Sequence, residues 1–104
     1  MTRGEVWWAD LDPPAGRRPV LLLSRESAYA VRDLIMIAPI TTRIRGIRGE
    51  VELGPADGMP RRCVANLDTL DTIKKSSLDQ RITVLADERL DEVAEALRYA
   101  LGLQ

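Results

Sequence analysis

The chain offers few side chains able to do covalent chemistry, and the shortage narrows the options. It contains no His, which removes Ser-His-Asp and Cys-His nucleophilic mechanisms, His-ligated zinc hydrolysis and imidazole acid/base pairs. Its single Cys, Cys63, permits neither an intramolecular disulfide nor a cysteine-rich zinc site, and in its apolar context reads as an inert packed thiol. The carboxylates Asp68, Asp71 and Asp79 have no metal-ligand spacing, so neither a metal nor another cofactor is expected. Chemistry would rest on Arg, Lys, carboxylate and hydroxyl groups. Arg18 stands between a Pro/Gly-rich loop and an apolar run, and a guanidinium at a strand entrance presents five donors in a fork that either suits phosphate or clamps a loop carbonyl or carboxylate. Arg25 is a second candidate for that role. Thr41 and Thr42 follow the run IMIAPI, where strand-end hydroxyls either donate to a phosphate oxygen or cap a turn. Trp7 and Trp8 are neighbours in a strand and must face opposite sides, one toward the core and one toward a base, a partner or solvent.

The elements that would position these groups fit one small domain. The chain has 104 residues, the size of one domain and not two. Its 45% hydrophobic and 30% charged content argues against disorder, and no apolar run nears the roughly 18 residues of a membrane span. The first residues lack the basic-then-apolar pattern of a secretory signal, so a reducing cytoplasm is the expected compartment. Strands are expected at 5–11, 19–24, 34–40, 50–53, 63–67 and 81–85, with single helical turns near 25–33 and 74–79 and loops at 12–18, 41–49 and 54–62. Only the end reads as a full helix. Leu90, Val93, Ala94, Leu97 and Leu101 follow one helix face, Asp87 suits the N-cap and Gly102 the stop. Five or six short strands and one helix make an α+β or small-barrel domain, completed by laying the leucine stripe on the sheet.

The net charge of −1 conceals an asymmetry. Residues 87–104 carry five acids and two bases, whereas the bases ahead of them cluster at Arg17–Arg18, Arg43–Arg45–Arg48, Arg61–Arg62 and Lys74–Lys75, each in an expected loop. Such clusters are solvated loop tips unless they converge on one face, where they would make an anion-binding surface.

Several segments taken in order go further. GEVWWADLDP at 4–13, RRPVLLLS at 17–24, API-TT at 38–42, VANLDTLDTI at 64–73, LDQRITVL at 78–85 and a terminal amphipathic helix together resemble the MazF/PemK/Kid family of toxin endoribonucleases. The resemblance covers nearly the whole chain as a single domain, 1–104. It implies a small SH3-like, CcdB/PemK-like antiparallel β-barrel with a C-terminal α-helix. It also implies a cytoplasmic homodimer, away from membranes, that cuts single-stranded RNA and is neutralised by a MazE-type antitoxin. By that likeness Arg18 matches the family's Arg-Pro arginine and Thr41 its strand-end threonine, both serving the scissile phosphate. The reaction implied is metal-free attack by the RNA 2′-hydroxyl, leaving a 2′,3′-cyclic phosphate and a 5′-hydroxyl. Arg17, Thr42, Arg43, Arg45 and Arg48 would line the RNA path, and Asn66 and Asp68 would contact base edges.

Two departures from the pattern stand out. The first loop, PPAGRR, is short and lacks the Glu that many members carry there, so it offers no obvious general base. Thr69, Leu70 and Asp71 replace the usual Gln-Ile-Arg, so the RNA sequence cut should differ. The rival readings are a CcdB-like gyrase-binding toxin without nuclease activity and a non-catalytic RNA-binding barrel.

Overall fold

The computed structural model describes residues 1–103. Seven strands and two helices follow in the order β1 (Glu5–Asp10), β2 (Arg17–Leu22), α1 (Glu26–Val31), β3 (Leu34–Thr41), β4 (Glu50–Leu53), β5 (Cys63–Asn66), β6 (Asp71–Lys74), β7 (Leu78–Val84) and α2 (Asp87–Leu101). Short 3-10 turns lie at Pro55–Asp57 and Lys75–Ser77. Every described pairing is antiparallel, in the order β4-β5-β3-β2-β1-β7, with β6 also on β3. The sheet curls into a half-barrel rather than a closed one, since β4 and β7 end the ladder unpaired to each other. Helix α2 lies against the β4 edge.

Two apolar clusters occupy the two faces. Alternation along β1, β2 and β3 sends Val6, Leu21, Ala38 and Ile40 to one cluster and Ala9, Val20, Leu22, Ile35 and Ile37 to the other. The first cluster is closed by α2 through Val93 and Ala96, with Leu90 and Leu97 packed at its margin. The expected helical stripe is therefore right in its middle and wrong at its end. Leu101 is 55% exposed, because the last turn of α2 runs clear of the core. The expected N-cap also shifts. Asp87 is the first helical residue, Ala86 holds the cap position, and no side chain caps it. Asp87 and Glu88 instead place negative charge in the first turn, and Gly102 ends the helix in the left-handed conformation as expected.

Three strand boundaries differ from expectation. Strand β6 lies outside the expected strands because DTIK points only one apolar side chain, Ile73, inward. Strand β7 begins at Leu78 rather than Arg81. It is an edge strand whose register against β1 shifts twice, so its polar residues never form a clean alternation. Strand β2 begins at Arg17, which places Arg18 inside the β1–β2 ladder opposite Ala9 instead of in the preceding loop.

The connection between β4 and β5 is tied down from behind. The Asp57 carboxylate accepts from Gly54 N at 2.9 Å and from Arg89 Nε of α2 at 2.9 Å. Thr83 of β7 donates to Asp57 O at 2.9 Å. Gly58 follows with φ +89°, and a Cβ there would run into the Thr83 side chain, so this position requires glycine on two counts. Partial burial works against ionisation of Asp57, but the Arg89 and Gly54 hydrogen bonds prevail and hold its carboxyl below its usual range.

A group with a depressed folded pKa contributes stability above its unfolded pKa and loses it as pH falls through the folded value. Asp57→Ala should therefore cost about 1.5–3 kcal/mol at neutral pH, the range for hydrogen bonds to charged groups. The gap from wild type should narrow as the pH drops below about 4, the ordinary carboxylate value. Urea unfolding at pH 7 and pH 3 measures both; an equal gap at the two pH values would deny the ion pair its role.

Candidate active site

Strands β2 and β3 pair from Leu22–Ile37 to Val20–Pro39 and then part. Strand β3 carries Ile40 and Thr41 away to β5, opposite Ala65 and Val64, while β2 stays with β1. Pro19 and Pro39 lie at the parting point, and neither has an N–H to extend the ladder. Two residues beyond the last shared pair, Arg18 and Thr41 stand opposite each other across the opening. A cleft of about 410 Å³ fills the split, lined by Trp8, Arg18, Pro19, Ile40, Thr41, Thr42, Met59, Pro60, Arg61 and Cys63.

The two lips are prepared for an anion. Arg18 donates through Nε to Ala15 O at 3.2 Å, which turns the guanidinium with one donor and leaves its terminal amino groups unused. Thr41 Oγ1 accepts from Arg43 N at 3.1 Å. With that lone pair occupied, the hydroxyl proton is free to point into the cleft. The charged side chains of the lining are Arg18 and Arg61, and no carboxylate is among them. Cys63 forms part of the floor, where burial first and the nearby Asp57 charge second push its thiol up from its ordinary value. It is therefore a neutral wall at physiological pH, in keeping with its reading as a packed thiol. Among the described residues no group of three His, Cys, Asp or Glu side chains could hold a metal ion.

The two tryptophans separate as expected. Trp7 packs at the margin of the second cluster and donates Nε1 to buried Glu5 Oε1 at 2.8 Å. Trp8 lines the cleft. The Arg17 guanidinium stands 4.6 Å above its ring centroid, held there by Asp79 of β7 at 2.9 Å. Arg17 thus braces Trp8 from outside the cleft lining rather than facing into it.

The remaining sequence candidates form a second group. Glu50 Oε1 accepts from Arg45 N and Gly46 N at 3.0 and 2.9 Å, and so fixes the base of the 42–49 loop. Glu50 pairs with Asn66 across β4 and β5, and Asn66 Oδ1 accepts from Asp68 N at 3.0 Å. Leu67 N donates to Gly49 O, and the Asp68 carboxylate lies against Gly49. Loop and turn therefore meet, but outside the cleft lining. Arg43 and Arg45 are exposed. Arg48 goes elsewhere: its guanidinium lies 4.5 Å over the Tyr99 ring, in a groove shared with Asp91, Glu92 and Glu95 of α2. The structure does not bring Arg48 to the cleft, and Arg25 sits exposed at the start of α1.

Arg61 faces the cleft although its sequence cluster gave no reason to prefer it to Arg62. A signal was present for the pair, but not for which of its members faces the cleft. Arg-Arg-Xaa-Val occurs at 17–20 and again at 61–64, each time running into a strand that borders the cleft. In each pair one Arg faces the cleft and the other is tied to a carboxylate, Arg17 to Asp79 and Arg62 to Glu52.

The half-barrel with its C-terminal helix is the fold of the MazF toxins among solved structures. Residues 2–101 match the family of the PemK-like, MazF-like toxin of type II toxin-antitoxin systems, and the chain belongs to that family. It is 42% identical to the probable endoribonuclease MazF5 of Mycobacterium tuberculosis, over 95% of this chain and 91% of that one. It is 35% identical to the endoribonuclease EndoA of Bacillus subtilis, over 97% and 94%. Among solved structures it resembles Mycobacterium tuberculosis toxin MazF-mt6, with a TM-score of 0.88, 31% identity and coverage of 96% and 98%. It equally resembles an endoribonuclease in complex with its cognate antitoxin from a mycobacterial species, with a TM-score of 0.88, 27% identity and coverage of 100% and 97%.

The divided placement of the loop arginines has a measurable consequence. Replacing Arg43 and Arg45 together by Ser should flatten the salt dependence of RNA binding, by about 0.7 in the log–log slope for each phosphate no longer neutralised. Arg48→Ser alone should leave the slope unchanged. Fluorescence anisotropy of a labelled single-stranded RNA across a salt series reads both, and the opposite ranking would move Arg48 back to the RNA path.

Proposed function

We propose that this chain is the toxin of a type II toxin–antitoxin pair, a sequence-specific and metal-independent endoribonuclease acting on single-stranded RNA. The observation that carries the reading is the Arg18–Thr41 pair on the two lips of a cleft lined by cations and no carboxylate, in a chain of this family. A phosphodiester seated between the lips would receive hydrogen bonds from the Arg18 terminal amino groups and the Thr41 hydroxyl. The ribose 2′-oxygen attacks phosphorus and the 5′-oxygen leaves, giving a 2′,3′-cyclic phosphate and a 5′-hydroxyl. Negative charge grows on the non-bridging oxygens at the phosphorane, where a preoriented guanidinium is most effective. Arg18 is too basic to act as a general base. Its part is to stabilise the phosphorane and to hydrogen-bond the departing 5′-oxygen, while the 2′-proton passes to solvent and the 5′-oxygen takes its proton from water. Trp8, braced on one face by Arg17, offers a stacking surface for a splayed base, as single strands permit.

Partners and location follow the family. A cognate MazE-type antitoxin would neutralise the toxin, and a homodimer would be its working form. The exposed apolar side chains Val31 at the end of α1 and Leu34 and Met36 of β3 are the surface proposed for the dimer. No helix among the described residues is long and apolar enough to cross a membrane, and the cytoplasm is the proposed site of action. The gyrase-binding alternative is disfavoured by relatives named as endoribonucleases.

Arg18→Ala should lower the cleavage rate by about 10²–10³, the loss expected for one preoriented charge-stabilising donor, with the fold retained by circular dichroism. Thr41→Val should act in the same direction but less severely. A folded Arg18→Ala protein that cuts at the wild-type rate would remove Arg18 from the mechanism.

Cleavage should persist in EDTA and fail on an RNA whose scissile nucleotide is 2′-deoxy. Ends bearing 3′-hydroxyl and 5′-phosphate, or activity lost in EDTA and restored by Mg²⁺, would instead mean metal-assisted attack by water.

A further inference from the structure

We propose that Arg61 is a second phosphate ligand of the cleft, holding the phosphate that adjoins the scissile one. The inference rests on the endoribonuclease reading and adds a residue to it.

Arg61 enters the cleft from the β4–β5 connection, whereas Arg18 and Thr41 enter from the β2/β3 split. It is exposed and has no hydrogen-bond or ion-pair partner among the described residues. In this it is like exposed Arg43 and Arg45 and unlike Arg17, Arg62, Arg89 and Arg98, each held by a carboxylate; what sets it apart from the former is its place in the cleft lining. Its guanidinium shares the lining with that of Arg18, the other charged side chain there, so an anion in the cleft is attracted by both. Its backbone is nonetheless not loose. Buried Met59 anchors one side and buried Cys63 begins β5 on the other. Behind them the Asp57 carboxylate ties the connection to Arg89, and the Asp57 carbonyl ties it to Thr83. The cleft wall is thus fixed while the Arg61 head group is left uncommitted, as a binding group should be.

The position favours binding over chemistry. Arg18 and Thr41 already face each other across the split and suffice to hold one phosphate between them. Arg61 stands on a different wall, with Met59, Pro60 and the Cys63 floor beside it. Consecutive phosphates in a single strand are one nucleotide apart, and a cleft of about 410 Å³ has room for a nucleotide between its walls. The phosphate reached from the far wall is therefore the neighbour of the one being cut. A contact to that phosphate is present equally before and during the reaction, so it strengthens binding without speeding the chemical step.

The test compares wild type, Arg61→Ala, Arg61→Lys and Arg62→Ala. Arg62, paired with Glu52 at 2.7 Å and outside the cleft lining, is the control for a charge removed nearby. Binding is measured with an RNA made uncleavable by a 2′-deoxy scissile nucleotide, over a salt series. Cleavage is measured in single turnover with enzyme in saturating excess. Arg61→Ala should weaken binding about fivefold at low salt and lower the log–log slope by about 0.7, the share of one phosphate. The saturated cleavage rate should stay within about threefold of wild type. Arg61→Lys, which keeps the charge, should retain most of the slope, and Arg62→Ala should match wild type. An unchanged slope for Arg61→Ala would overturn the assignment, as would an equal change in Arg62→Ala. A loss confined to the saturated rate would move Arg61 to the scissile phosphate and overturn it too. Failure of the wild-type protein to cut any RNA would instead sink the underlying reading, and Arg61 with it.

Discussion

The structure turns on a change of partner in the middle of β3. Leu34–Ile37 pair with β6, Ile37–Pro39 with β2, and the last two residues, Ile40 and Thr41, with β5. One strand therefore serves two ladders that diverge, and the gap they leave is the cleft. Nothing else in the chain has to be specialised to make the opening. Two prolines end the shared ladder without leaving unpaired N–H groups behind. The apolar residues that would have continued the sheet, Pro19 and Ile40, become the cleft's walls. Arg18 stays paired with β1 and Thr41 with β5, so a ladder holds the backbone of each. Their backbone positions do not depend on loop conformation.

Much of this was legible in the sequence, and the limits have physical causes. Strong apolar runs such as VLLL and IMIAPI mark β2 and β3; VLLL is buried on both faces, whereas β3 is apolar throughout although Leu34 and Met36 stay exposed. The terminal helix was equally clear in its middle turns. Strands β6 and β7 were harder to place, since edge strands carry polar side chains and borrow their order from a neighbour. The half-open sheet was not readable at all, because closure depends on which edges meet and no local pattern encodes that. At the site, residue types and order pointed to Arg18 and Thr41. Convergence did not, as loops of similar composition led to different places. Arg48 found an aromatic ring on α2, and Arg61 found the cleft.

Charge is distributed by the same architecture. The carboxylates of α2 lie along the edge that the helix covers, beside Arg48 and Glu50, while the cleft keeps cations only. Acids near the cleft are engaged internally. Asp57 is held by Arg89 and Gly54, and Asp79 by Arg17. A near-neutral chain can in this way present a strongly polarised surface, attractive to polyanions on one side and to basic segments on the other.

The composition of the cleft lining also sets how such a protein can be restrained. The lining holds no carboxylate and no imidazole, the side chains whose charge ordinarily changes at acidic to neutral pH, and burial pushes the Cys63 thiol up from its ordinary value. The cleft has no proton-operated off state, so a shift in cellular pH leaves its charge as it was. Restraint has to come from matter rather than from protons. Something must sit in the opening, or hold the strands that frame it, for as long as the chain is to be kept silent.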